Sequence, residues 1–366
     1  MHLLEPREHP SQLMKWLSPV IALVAMLIVG SILFFMLGVS PTQALYVFFI
    51  EPLTTSYGLS ELAIKASPLI LIALGLAVGF RAKLFNIGAE GQLTMGAIFG
   101  GGIAVLFYQD MGWWILPLMI VMGAIGGMFW GLIPAVLKTH FNAEETLTTL
   151  MMNYVAMFIL LYLVNGPWRD PDGMNFPQSV MFNESALLPI ILESTRVNAS
   201  IFITLIAVIL FWFFIRKSLT AYKLEVSGQA PMAAKYAGFS SKKAVWLSLG
   251  ISGLMAGIAG ICEVAGPIGQ LNPNISPGYG YAAIIVAYLG RLNPIGIVLS
   301  GMLMALMYLG GEMAQMQLQL PVAITGIFQG LLLFFLLASD ALIEKRYRFV
   351  KKKAKKIDHN AAQSVA

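Results

Sequence analysis

Apolar residues run along this chain in blocks, most of them close to the roughly 20 residues that a helix needs to cross a bilayer. They lie at 17–38, 61–80, 92–108, 113–137, 145–165, 198–215, 244–264, 280–290, 294–311 and 321–340. The pattern predicts an all-α polytopic membrane protein of about ten transmembrane helices. It divides the chain into a short segment 1–16, a membrane domain 17–340 and a tail 341–366. Two polar stretches inside the membrane domain are long enough to matter, an outer loop at 166–197 and an inner loop at 216–243. The eighth block is too short to cross alone. Either it borrows length from the loop before it, or that loop dips into the membrane.

Two interruptions stand out against this background. One is Phe85-Asn86-Ile87-Gly88-Ala89-Glu90-Gly91-Gln92; the other is Ser276-Pro277-Gly278-Tyr279-Gly280-Tyr281 with the later Leu289-Gly290-Arg291-Leu292-Asn293-Pro294-Ile295-Gly296. In lipid, irregular backbone survives only where protein or water satisfies its polar groups. These breaks are therefore expected to line a path through the protein.

Charge orients the layout. All of the 23 Lys and Arg except Lys65, Arg169 and Arg196 fall in alternate segments that include both ends of the chain. Basic residues collect on the cytoplasmic side, so both termini are expected there. Lys65 can snorkel from the outer end of its span, and Glu312 is expected in an outer loop. Only 11% of residues are charged, against about 25% in soluble domains. The net charge of +5 comes from the C-terminal run beginning at Lys345, which suits membrane lipid rather than nucleic acid. No G-x-x-x-x-G-K-[ST] nucleotide loop, no metal-ligand cluster and no nucleophile–base set is found. The chain is expected to be no enzyme and to bind no cofactor. Glycines recur three and four apart in several blocks, which predicts close helix packing.

The inner loop predicts a short helix. Ser227 or Gly228 can cap it, Pro231 fits its first turn and Gly238 supplies a left-handed stop. So short a helix is marginal alone in water and is expected to fold against something else. Met232, Tyr236 and Phe239 offer an apolar contact at helical spacing. A helix lying on lipid, or a plain connector, is the alternative.

Other polar residues admit two readings each. Asn86, Glu90 and Gln92 either cap a helix start or line a path. Glu145, Thr149 and Asn153 recur every four residues on one helix face and serve either an interhelical hydrogen-bond network or the path. Gln270, Asn272 and Tyr279 belong to the segment expected to dip inward, and Tyr288 adds a hydroxyl beyond it.

Four motifs in order carry a resemblance: FNIGAEGQ (85–92), E-x-x-x-T-L-M-x-N-Y (145–154), the short inner-loop helix, and SPGYGY…LGRLNPIG (276–296). Together they resemble the permease subunit of an ATP-binding-cassette importer of the ribose and branched-chain amino acid group, most closely its nucleoside and simple-sugar branch. The chain departs from the pattern at Glu144, where an asparagine is usual, and at Tyr288, which replaces a leucine. The resemblance implies a type II importer bundle in a bacterial inner membrane. It implies a second permease subunit, homologous or identical, a cytoplasmic ATPase that uses ATP and Mg, and an extracytoplasmic binding lipoprotein or periplasmic protein. It also implies that Ala230, Pro231, Met232, Ala233, Ala234, Lys235, Tyr236, Ala237 and Gly238 couple the chain to the ATPase. An ion-coupled secondary transporter and a permease for branched-chain amino acids remain alternatives.

Overall fold

A computed structural model describes residues 2–6, 12–192 and 195–349. The far part of the basic tail, from Val350 on, and residues 193–194 of the outer loop lie outside the described residues. The chain runs β1 (His2–Pro6), α1 (Gln12–Met36), α2 (Pro41–Leu45), α3 (Ser56–Arg81), α4 (Ala89–Leu106), α5 (Ile115–Phe141) and α6 (Glu145–Asn165). It continues through α7 (Ser200–Lys217), α8 (Leu219–Gln229), α9 (Pro231–Tyr236), α10 (Ser241–Glu263), α11 (Tyr279–Leu289), α12 (Pro294–Leu318), α13 (Ala323–Glu344) and β2 (Lys345–Phe349). Every predicted span has a helix. Among the described residues, eight helices are long and apolar enough to cross a membrane. The third and eighth predicted spans, α4 and α11, are not among them, and both start at the two polar interruptions.

The chain divides into two compact units, 1–30 with 330–366, and 31–329. In the first, β1 and β2 pair antiparallel, with His2 opposite Phe349. That pairing adds a strand pair to a fold expected to be all-helical, and it joins residues 2–6 to 345–349. The Ser18 and Ser339 hydroxyls lie 2.8 Å apart between α1 and α13.

In the second unit, α10 packs on α3, α4 and α5. A Cβ placed on Gly96 would lie 2.3 Å from Gly257 Cα, and one on Gly253 would lie 2.3 Å from Gly127 O. The recurring glycines thus let three helix backbones touch, as expected. Pro41–Leu45 continues into a π-turn at Tyr46–Ile50 and a 3-10 turn at Glu51–Leu53. Sequence reading misses this element because it is short and twice interrupted. It lies against α12, where a Cβ on Gly310 would come within 1.9 Å of Phe48 O.

Two further expectations need correction, and a third point decides between the two alternatives left open for the eighth span. The inner loop is two helices, not one: α8 is continuous through Ser227 and Gly228, so neither caps α9, and the break falls at Ala230. Gly228 is needed where α8 crosses the end of α3, because a Cβ there would meet Arg81 O at 2.6 Å. Second, α12 runs seven residues past the predicted end, placing Glu312 on a helix rather than in a loop. Third, α11 does not borrow from the preceding loop. It is an 11-residue helix, and the loop enters the bundle to meet it.

Candidate functional site

α3 ends at Arg81, whose guanidinium pairs with Glu225 of α8 at 3.1 Å and donates to Leu292 O at 2.9 Å. This marks one face of the bundle. Six residues earlier, about 9 Å deeper at 1.5 Å per residue, Gly75 lies against Ser252 in the middle of α10. The chain from Ala82 to Gly88 turns back into that depth, so α4 starts inside the bundle rather than at its surface.

Asn86 is the pivot of the turn. Its Oδ1 accepts from Gly88 N at 2.8 Å, and its Nδ2 donates to Gln92 Oε1 at 2.9 Å and to Ser252 Oγ at 2.8 Å. Asn153 of α6 does the same from the other side. Its Oδ1 accepts from Gly91 N at 2.8 Å, while its Nδ2 donates to Ile87 O and to the Tyr281 hydroxyl, both at 3.0 Å. Thr149 Oγ1 accepts from Ile87 N at 3.2 Å. The open backbone groups of the break are thus taken up by side chains that are nearly solvent-free, as burial away from water requires.

The second break arrives at the same place. Gly280, in the first turn of α11, donates its N–H to Glu90 Oε2 at 2.7 Å. A Cβ on Gly280 would sit 2.2 Å from Glu90 N. Two helix N-termini therefore meet almost backbone to backbone, with one carboxylate between their positive ends. The three sequence motifs at 85–92, 145–154 and 276–281 form one hydrogen-bonded knot.

A cavity of about 260 Å³ opens toward the other end of α3. Its walls include Glu61 and Lys65 of α3, Arg196, Glu263 of α10, Asn274, Tyr279 of α11 and Glu312 of α12. Lys65 pairs with Glu312 at 2.8 Å; Arg196 reaches Glu61 Oε1 at 3.6 Å and donates to Pro267 O at 2.9 Å.

Of the sequence candidates, Asn86, Glu90, Gln92, Thr149 and Asn153 belong to the knot. Glu145 lies at the surface end of α6 in an ion pair with Lys138. Tyr288 stacks on Phe80, ring centroids 4.9 Å apart. Tyr279 faces the cavity and meets the Tyr308 ring edge-on at 5.3 Å. Gln270 bonds to Gln178 at 3.3 Å, and Asn272 Oδ1 accepts from Asn274 N at 2.9 Å within the loop. Glu61 was missed. The available signal was Lys65: a cation in an apolar span requires an acid nearby, and Glu61 stands four residues before it.

α9 lies at the Arg81 end. Pro231 opens it and Gly238 closes it with φ +74°, as predicted. Only Ala234 is buried; Met232 is 68% and Tyr236 90% exposed. Phe239 does not share that open face but turns back under the Lys223 ammonium, 5.5 Å from the ring centre.

The family model described as branched-chain amino acid transport system / permease component matches residues 58–337. A glucose ABC transporter permease protein of Haloferax volcanii, TsgB13, is 34% identical over 94% of this chain and 92% of its own length. A guanosine ABC transporter permease protein of Bacillus subtilis, NupP, is 30% identical over 93% of this chain and 97% of its own. A nucleoside ABC transporter permease protein of Lactococcus lactis, NupB, is 28% identical over 81% and 84%.

Proposed function

We propose that this chain, which belongs to the branched-chain amino acid transport system / permease component family, takes up nucleosides or simple sugars as the membrane subunit of an ATP-driven importer. It is a multi-pass protein of the plasma membrane and a transport subunit, not an enzyme. The cargo reading is supported by two relatives that match over nearly their whole length and are named for glucose and guanosine.

One observation carries the coupling role. α9 spans six residues and buries a single side chain, Ala234, against its own protein. Such a helix has too few turns to hold itself in water. Its Pro231 and Gly238 ends nevertheless define it sharply, and it offers Met232 and Tyr236 outward. A cleft on a cytoplasmic ATPase is the partner that suits this shape. ATP and Mg are used there, not on this chain. Both termini then face the cytoplasm, in line with the distribution of Lys and Arg. A second permease subunit completes the pore, and a binding protein delivers cargo on the opposite face.

The test is co-purification with the ATPase, followed by uptake in liposomes. Tyr236→Asp is expected to abolish both while leaving the membrane fold intact. A substitution at the buried Ala234 tests folding of the loop instead. Uptake that survives ATP depletion and collapses with an ion gradient overturns the proposal.

A further inference from the structure

The cavity between the start of α3 and the end of α10 contains a buried carboxylate oxygen, Glu61 Oε1, that accepts no hydrogen bond among the described residues. Glu61 is 5% exposed, and Glu263, 9% exposed in the same wall, is in no ion pair among the described residues. The nearest cation to Glu61, Arg196, stands at 3.6 Å and already donates to Pro267 O. Lys65 is taken by Glu312. A buried carboxylate left this way costs stability, whereas the same chain meets Glu90 at the knot with a backbone N–H. The difference marks the cavity as a place where donors arrive from outside the protein.

We infer that this cavity is a receiving subsite for a neutral solute bearing adjacent hydroxyl groups, with the Glu61 and Glu263 carboxylates accepting hydrogen bonds from those hydroxyls. A pair of adjacent hydroxyls can present two donors to a carboxylate, and it brings no charge that the two cations in the wall would have to balance. Tyr279, almost wholly buried, lines the same wall. The volume of about 260 Å³ admits a solute of sugar or nucleoside size rather than a bare ion alone. The cavity lies 16 to 20 residues from Arg81 along α3, some 24–30 Å from the α9 end, so it faces the side from which cargo comes. This inference rests on the reading of the chain as a permease for nucleosides or sugars.

The complete importer, with ATPase and binding protein, is reconstituted in liposomes and supplied with radiolabelled guanosine, D-ribose or D-glucose. The solute that is taken up is then compared with its 2′,3′- or 2,3-dideoxy analogue. Rates are read at saturating loaded binding protein, so that capture outside does not set the ratio. Native protein is expected to move the diol about tenfold faster, the factor associated with a lost hydrogen bond to a charged group. Glu61→Gln and Glu263→Gln are expected to bring that ratio close to one. If either variant fails to assemble, Glu61→Asp and Glu263→Asp keep the charge and serve in its place, with a ratio between the two extremes. A ratio unchanged from native in variants that still take up the solute overturns the subsite and leaves the proposed function standing. If none of the three solutes is taken up, the proposed function and the subsite fall together.

Discussion

Two polar regions lie inside the same hydrocarbon-clad bundle, and they treat their charges in opposite ways. At the knot, Glu90, Asn86, Asn153 and Gln92 all have partners within 3.0 Å, most of them backbone groups that the breaks had freed. At the cavity, Glu61 Oε1 accepts no hydrogen bond among the described residues, and its cation, Arg196, stands off at 3.6 Å. A polar side chain in a membrane protein is thus no guide to substrate by itself. The satisfied set repairs irregular backbone; the unsatisfied set is free for something else. Several candidates that sequence reasoning left between a structural role and a path, Asn86, Gln92 and Asn153 among them, make hydrogen bonds within the fold, and the more open chemistry lies around a glutamate that reasoning passed over.

Substitutions can break or sharpen this contrast. The largest effect on stability is expected for Gly280→Ala. Its Cβ would meet the Glu90 backbone at 2.2 Å, and two helix ends cannot both yield, so a loss of about 3 kcal/mol or more is expected as overpacking. Thermal unfolding in detergent reads it. Asn153→Ala follows. It leaves Gly91 N and Ile87 O unpaired in the interior, at about 1–3 kcal/mol. Glu263→Gln is expected to have the opposite sign, raising the unfolding temperature by the equivalent of about 1 kcal/mol, because it removes a buried charge that is in no ion pair among the described residues. A destabilised Glu263→Gln would erase the distinction between the two regions.

Smaller changes sharpen the outline. Tyr236→Asp lies on the exposed face of α9 and is expected to alter stability by less than about 0.5 kcal/mol, while ATPase co-purification is lost. Tyr288→Phe keeps the stack on Phe80 and is expected to leave unfolding within about 0.5 kcal/mol of native. The same measurement applied to both separates partner contact from internal packing.

Much of the helical layout was legible because a run of apolar residues has few other fates in this setting. The termini of α9 were also legible, since Pro231 and Gly238 act through their own backbone. The segment 41–53 was not, because its three short turns carry no sustained period and derive their order from α12. α8 was hidden by its polarity: Lys223, Glu225 and Gln229 read as loop, and the helix is held by the end of α3 through Arg81 and Gly228. Glu312 was misplaced because hydropathy ends a span at its first charge, whereas the Lys65 ammonium allows α12 to continue.

The amino-acid order by itself determined that this chain lives in a membrane, where its helices run and where they break. Those outcomes follow from the cost of exposing polar backbone to lipid, which each stretch meets alone. Only the tertiary structure decided which partner each break would find: that Asn86 reaches Ser252, that Gly280 reaches Glu90, and that Glu61 faces Arg196 across 3.6 Å. Partners hundreds of positions apart along the chain become neighbours only when helices pack, and no local pattern records that choice.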